Sequence, residues 1–319
     1  MDVPREAAAY GGPAWSPRTT QLREEIGRVW GACGVASETA RLEAVLLHRP
    51  GGELDAADPD AALLLAPVDA TRAAAEHESL TAAYREAGVA VACVDPPRDV
   101  IPPPNLMFVA DLMFMTPEGA ILARPASSVR AGEERWIARR LADLGVPILR
   151  SVRGTGVFEG ADAAWLDERT VLLARGLRTN AEGAAQVAAT LRELGVAVVS
   201  TELPPGTMHL MGQLRFLDRE LAVVRADRID AAALAALRSH GYTVAALPDD
   251  EEMDRGFAHN LVTLGPREVL MPADRPVTRA FFESLGVRCR TVVVDELIRA
   301  AGGIGCLTGV LRRARPRTR

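Results

Sequence analysis

Cys306, His209, Glu159 and Asp111 are the side chains of this sequence whose types, taken together, support a reaction. Cys306 lies in the stretch Gly302-Gly-Ile-Gly-Cys-Leu-Thr-Gly309. Glycine permits unusual φ angles and close approach, so such a bend can bring a sulfur and nearby N–H groups up to a small ligand. As a thiolate, that sulfur is a nucleophile. His209, in Gly206-Thr-Met-His-Leu-Met211, can hand a proton to a departing amine. Glu159 and Asp162 share Gly156-Val-Phe-Glu-Gly-Ala-Asp162, and Asp111 interrupts an apolar run over 105–115. A lone buried carboxylate is costly unless a cation or donor meets it. Acids in a cavity select a planar cation, and guanidinium fits because carboxylates accept its forked N–H donors. A thiolate can attack the electron-poor guanidinium carbon, and the bound cation in turn favours the thiolate. Such chemistry needs no metal and no cofactor.

Each residue also has a structural reading. Free cysteine is among the most buried residue types, so Cys306 can be a small core residue. Asp111 can pair with an arginine, Glu159 or Asp162 can cap a helix, and His209 can be a satisfied core histidine. In Arg178-Thr-Asn180, Asn180 can serve as an N-cap and Arg178 can pair with a surface acid. The readings part on whether the fold brings these residues together.

The elements that must position them recur. After a strand over 42–48, a helix over 69–87 and a strand over 89–94, a fuller unit follows: strands over 105–115 and 120–123, a helix over 132–144 and a strand over 146–149. The same order returns at 163–200, 213–247 and 261–295. About five ββαβ-like units at a period of about 50 residues signal an array whose units bury their faces on one another. The expected fold is a closed five-bladed α/β propeller, in which equivalent positions meet at a central cavity. Residues 1–40 read as an extension with an amphipathic helix over 21–32, residues 41–311 as one catalytic domain, and 312–319 as a solvated basic tail.

Composition narrows the partners. With 319 residues, 48% hydrophobic and 25% charged, the chain reads as soluble and globular. A net charge of −5 argues against nucleic acid. Every basic side chain apart from histidine is an arginine, which excludes a Schiff-base or Walker A lysine. Cys33, Cys93, Cys289 and Cys306 are too dispersed for a metal ribbon or redox pair and imply free thiols in a reducing compartment. Neither a signal peptide nor a membrane span is apparent, so a cytoplasmic protein acting on a small molecule is expected, with self-association left open.

From about Leu42 to Leu311 the chain resembles the guanidine-modifying superfamily, or penteins: arginine deiminase, dimethylarginine dimethylaminohydrolase and the amidinotransferases. The resemblance is carried by Asn105-Leu-Met-Phe-Val-Ala-Asp111, Phe158-Glu-Gly-Ala-Asp162, Arg178-Thr-Asn180, Met208-His-Leu210, Asn260-Leu-Val262 and Gly303-Ile-Gly-Cys-Leu-Thr308. It implies Cys306 as nucleophile, His209 as general acid and base, and Glu159 as guanidinium-binding acid. It also implies Asp111, with Asp162 and Asn105, in the substrate pocket, and Arg124 and Arg178 as holders of a substrate carboxylate. The implied intermediate is a covalent S-amidino-type adduct, resolved by water in hydrolases and by an amine in transferases. Met211 stands where deiminases and amidinotransferases carry a second acid, which points to the dimethylarginine-hydrolase-like branch. Ala301 and Gly305 stand where members carry an acid and a larger polar residue. The leading expectation is a hydrolase of C–N bonds in linear amidines. An amidinotransferase is the alternative, and a non-catalytic binding propeller a further one.

Overall fold

The structure is a computed structural model that describes residues 7–55, 57–97, 99–248 and 251–315. Its first elements are β1 (Leu42–Leu47), α1 (Ala70–Glu86) and β2 (Ala90–Cys93). The next unit is β3 (Met113–Thr116), β4 (Gly119–Leu122), α2 (Glu134–Asp143) and β5 (Ile148–Ser151). Then come β6 (Ala163–Asp167), β7 (Thr170–Arg175), α3 (Ala181–Glu193) and β8 (Ala197–Glu202). They are followed by β9 (Leu214–Asp218), β10 (Leu221–Val224), α4 (Ala231–Ser239) and β11 (Thr243–Ala246). The last elements are β12 (Val262–Gly265), β13 (Glu268–Pro272), α5 (Pro276–Ser284), β14 (Arg288–Val292) and β15 (Gly309–Arg313).

Local sequence punctuates the units alike. Asp69, Asn180 and Asp230 cap α1, α3 and α4 by accepting from the N–H groups of Arg72, Gly183 and Ala233 at 3.0, 2.8 and 2.7 Å. All five helices give way to a glycine in the left-handed region: Gly88, Gly145, Gly195, Gly241 and Gly286, with φ between 68° and 83°. Each chain then returns as a strand parallel to the one before the helix, while the first two strands of each internal unit pair antiparallel. The fifth sheet joins the two ends of the chain, with β15 antiparallel and β2 parallel to β1. Five ββαβ units thus make the closed α/β propeller that the repeat predicts. The middle strands β4 and β10 are buried throughout, as strands covered on both faces must be.

Three expectations change. The segment over 105–115 is not one strand: it forms a 3₁₀ turn (Pro104–Met107) and a helical turn (Val109–Leu112) before β3. Prolines at 103 and 104 open that turn, and helical backbone lets the Asp111 carboxylate reach Arg130. The helix over 21–32 shrinks to Leu22–Glu25, because Gly27 turns to φ 82° and Gly31 packs its backbone on Leu144. The basic tail does not begin at 312. Arg312 and Arg313 belong to β15, and buried Arg313 donates to the Ala40 and Thr263 carbonyls at 2.7 and 2.8 Å, fastening the closing strand. Of the other expected tail residues, Arg315 is described, and 316–319 lie outside the described residues.

Candidate active site

The short segments ahead of the first strands carry the polar residues. Asp111 lies in Val109–Leu112, Glu159 and His209 cap the turns Gly160–Asp162 and Leu210–Gly212, and Cys306 lies in Ile304–Leu307. Asn260 holds the corresponding place ahead of β12. Closing the ring brings all five together. Cys306 opens onto two cavities of about 30 and 200 Å³. Asn105, Phe108, Asp111, Arg130 and Arg178 line the smaller; Met208, His209, Phe257, His259 and Asn260 line the larger.

Asn260 holds the cysteine twice, its Nδ2 donating to Sγ at 3.0 Å and its Oδ1 accepting from the Cys306 N–H at 3.2 Å. The flanking glycines serve close approach rather than special φ angles, since none of Gly302, Gly303, Gly305 and Gly309 has positive φ. A β-carbon on Gly302 would fall 2.2 Å from the Phe108 ring, and one on Gly303 2.8 Å from the Asn260 side chain. Left-handed backbone belongs instead to Ala301, at φ 75°, a strained conformation for a residue with a β-carbon. Burial first, and then the Asp111 charge, push the thiol up, against the hydrogen bonds from Asn260 and the Gly303 backbone and the charge of Arg215.

Facing it is a dense charge network. His209 Nε2 meets Glu159 Oε2 at 2.7 Å, and its Nδ1 lies 3.9 Å from Asp111 Oδ1. Arg130 Nη1 donates to Asp111 Oδ2 at 2.6 Å and lies 3.7 Å from Glu159 Oε2, while its Nε donates to Glu133 at 2.9 Å. Glu159 Oε1 accepts from the Ala126 N–H at 3.0 Å and from Arg178 at 3.4 Å. Burial by itself would neutralise these groups. For His209, the Asp111 charge and the Glu159 hydrogen bond override burial and raise it to about 9. For Glu159, His209, Arg130 and Arg178 override burial and hold it near 2. The pair is therefore imidazolium and carboxylate at neutral pH.

The expected substrate residues separate. Asn105 reaches the site and donates to the Ala62 carbonyl at 2.7 Å. That bond ties in the segment around Ala62, of which Leu63 stands in the cavity wall. Arg178 also lines the cavity. Asp162 does not: its oxygens accept from Thr179 Oγ1 at 2.7 Å and the Leu210 N–H at 3.1 Å, so it fixes the turn beside His209. Burial pushes its carboxyl up to about 6. Arg124 is not brought to either cavity, because its backbone pairs with Phe158 and its guanidinium donates to the Gly156 carbonyl at 3.1 Å.

Two residues of the site were given no role by the sequence reading. Arg130 stands in Ser128-Val-Arg-Ala-Gly-Glu133, where a basic and an acidic residue three apart signal a helical pair but not a destination. Asn260 opens the motif Asn260-Leu-Val262 that carries the resemblance, but no role was read for it. Asp111, Glu159 and His209 also offer ligand atoms within 4.8 Å of one another, the spacing of a metal site; here the Arg130 guanidinium supplies the cation that the two acids face.

Gly160 gives a stability prediction. Its added β-carbon would lie 2.2 and 2.5 Å from the carbonyl oxygens of Met113 and Ala110, both backbone. Gly160→Ala is expected to cost about 1–3 kcal/mol, as overpacking does, and to displace Glu159. Urea unfolding checks it; an unchanged midpoint would show that the two units do not pack this tightly.

Comparison with known proteins identifies the family and the fold. The family model of eukaryotic N,N-dimethylarginine dimethylhydrolase matches residues 66–311. The N(G),N(G)-dimethylarginine dimethylaminohydrolase of Mycobacterium tuberculosis is 30% identical over 253 residues, 76% of this chain and 77% of the relative. Two solved structures share the fold. The dimethylarginine dimethylaminohydrolase of Pseudomonas aeruginosa, a cysteine-to-serine mutant complexed with citrulline, matches with TM-score 0.68 at 21% identity over 84% of this chain and 98% of that one. An amidinotransferase of the saxitoxin pathway of Microseira wollei matches with TM-score 0.71 at 15% identity over 89% and 98%. By that family model and the Mycobacterium relative, this chain belongs to the dimethylarginine dimethylhydrolase family of guanidine-modifying hydrolases.

Proposed function

We propose that the protein hydrolyses an N-substituted guanidino amino acid through a covalent adduct on Cys306, releasing an amine and leaving a ureido product. The observation that carries this reading is Asp111 Oδ1, buried in the site with no hydrogen-bond partner among the described residues. Its sister oxygen already grips the Arg130 guanidinium, so the free oxygen is an acceptor waiting for a second set of guanidinium N–H donors. Such a substrate brings its positive charge beside a neutral thiol and favours the thiolate, the thiol proton passing to solvent. The sulfur attacks the guanidinium carbon, His209 gives its proton to the departing nitrogen, and the C–N bond breaks to leave an S-linked amidino adduct. Neutral His209 then takes a proton from water as the water oxygen bonds to that carbon, the C–S bond breaks to return the thiolate, and the oxygen's remaining proton passes to solvent to leave the neutral ureido group. Arg178, at the cavity wall, is placed to hold the substrate carboxylate, with Asn105 bracing that wall.

The relatives' name supplies the first substrate to try, N(G),N(G)-dimethylarginine. Incubation with it is expected to yield dimethylamine and citrulline in equal amounts, at a rate well above that with unsubstituted arginine. Product that forms only when an acceptor amine is added would assign an amidinotransferase instead. No release from any guanidino compound beyond that of Cys306→Ala would overturn the reading.

A further inference from the structure

Arg215, on β9, is a charged group the reaction scheme leaves unused. Its Nε donates to the His259 carbonyl at 3.2 Å, and its Nη2 is buried with no hydrogen-bond partner. A β-carbon on Gly305 would fall 2.1 Å from that Nη2 and 2.8 Å from Asn260 Oδ1. The guanidinium therefore occupies the space that a side chain at 305 would need, against the peptide that carries Cys306. It comes from a separate cavity of about 70 Å³, lined by Glu38, Arg215, Gly305, Thr308 and Arg313. Arg215 lines neither cavity onto which Cys306 opens, so it does not meet the substrate.

A half-buried cation whose one hydrogen bond among the described residues goes to a neutral carbonyl is favoured by a negative charge nearby. Burial holds Arg215 down to about 10, still charged at neutral pH, and the first group opposing that is Cys306, ahead of Glu38 and Tyr84, with Arg313 repelling it. His259, beside it, is pushed down to about 3 by burial first and by Arg215 second, so it stays neutral. Around the sulfur, Asp111 disfavours the anion; Asn260, the Gly303 N–H and Arg215 favour it, and His209 shares the larger cavity.

We propose that Arg215 is a positioning residue that fills the space at Gly305 and lowers the cost of forming the Cys306 thiolate. This rests on the reading of Cys306 as nucleophile. Gly305 follows from it, because a side chain there would expel the guanidinium.

The test is the pH dependence of Cys306 alkylation by iodoacetamide in the full chain, read by mass spectrometry on the peptide that contains it. Arg215→Met is expected to move the midpoint up by about one pH unit, leaving about tenfold less thiolate below it, and Arg215→Lys to restore most of that shift. Circular dichroism checks folding. Arg215→Gln, which keeps a donor for the His259 carbonyl, takes the place of Arg215→Met should the latter not fold. An unchanged midpoint in the charge-free variant, or equal shifts in the Lys and charge-free variants, would overturn the proposal. Alkylation reads the charge on sulfur whether or not Cys306 turns over substrate, so it fails separately from the nucleophile assignment.

Discussion

Cys306→Ala is expected to lower turnover by about 10,000-fold or more, the scale seen when the nucleophile of a covalent mechanism is removed, while the fold stays intact. The two halves of that expectation have different origins. Activity is lost because no other thiol lines either cavity: the remaining cysteines, Cys33, Cys93 and Cys289, lie elsewhere. Stability is kept because the sulfur makes one side-chain hydrogen bond, from Asn260, worth about 1 kcal/mol. The backbone bond from the Cys306 N–H to Asn260 Oδ1 survives the substitution. Steady-state rates and thermal unfolding check the two separately. An active mutant would remove the nucleophile assignment, and an unfolded one would make Cys306 a packing residue.

Glu159→Gln is expected to lose both activity and stability. Glu159 is fully buried and faces His209, Arg130 and Arg178 together. Glutamine keeps the shape and an acceptor for the Ala126 N–H but takes away the charge. Breaking a buried charge network by removing one partner costs about 3–5 kcal/mol, and loss of the carboxylate that supports His209 should lower kcat/KM by about 100- to 10,000-fold. The pH dependence separates this from a packing defect. His209 is raised from 6.5 to about 9, so its contribution to stability is complete below 6.5 and is lost as pH rises through 9. Glu159 is lowered from 4.5 to about 2, so its contribution is present above 4.5 and is lost as pH falls toward 2. In Glu159→Gln the acid-side loss from this group should vanish, and the alkaline loss should begin at lower pH. There His209 retains only Asp111 and Asp162 as supporting charges. Unfolding midpoints across pH, with an NMR titration of the His209 ring, measure it. A variant whose His209 titrates unchanged would contradict the network.

The repeat was legible because ββαβ units advertise themselves through alternating strands, caps and turn residues, and the recurring glycine after each helix is plain once the units are aligned. Cys306, His209, Glu159 and Asp111 were legible as polar interruptions at equivalent places. Less visible was anything set by side-chain reach. Arg124 and Arg130 are both arginines following β4, and only three-dimensional packing sends one to the Gly156 carbonyl and the other to Asp111. Asp162 looked like a pocket acid from its neighbours, yet Thr179 and the Leu210 N–H use both of its oxygens. The closing strand was hidden by composition, since the run of arginines from 312 reads as a solvated end. Its pairing partner β1 lies at the far end of the chain, and no local pattern reports such a contact.

The central claim is that Cys306 carries the amidino group during turnover. Acid quenching of the enzyme during reaction with N(G),N(G)-dimethylarginine, followed by intact and peptide mass spectrometry, reads that bond directly. The expected result is a mass increase matching the S-linked amidino adduct, located on the peptide that contains Cys306, transient in the wild type and absent from Cys306→Ala. Sustained turnover with no adduct on that peptide at any quench time, or an adduct on another residue, would contradict it.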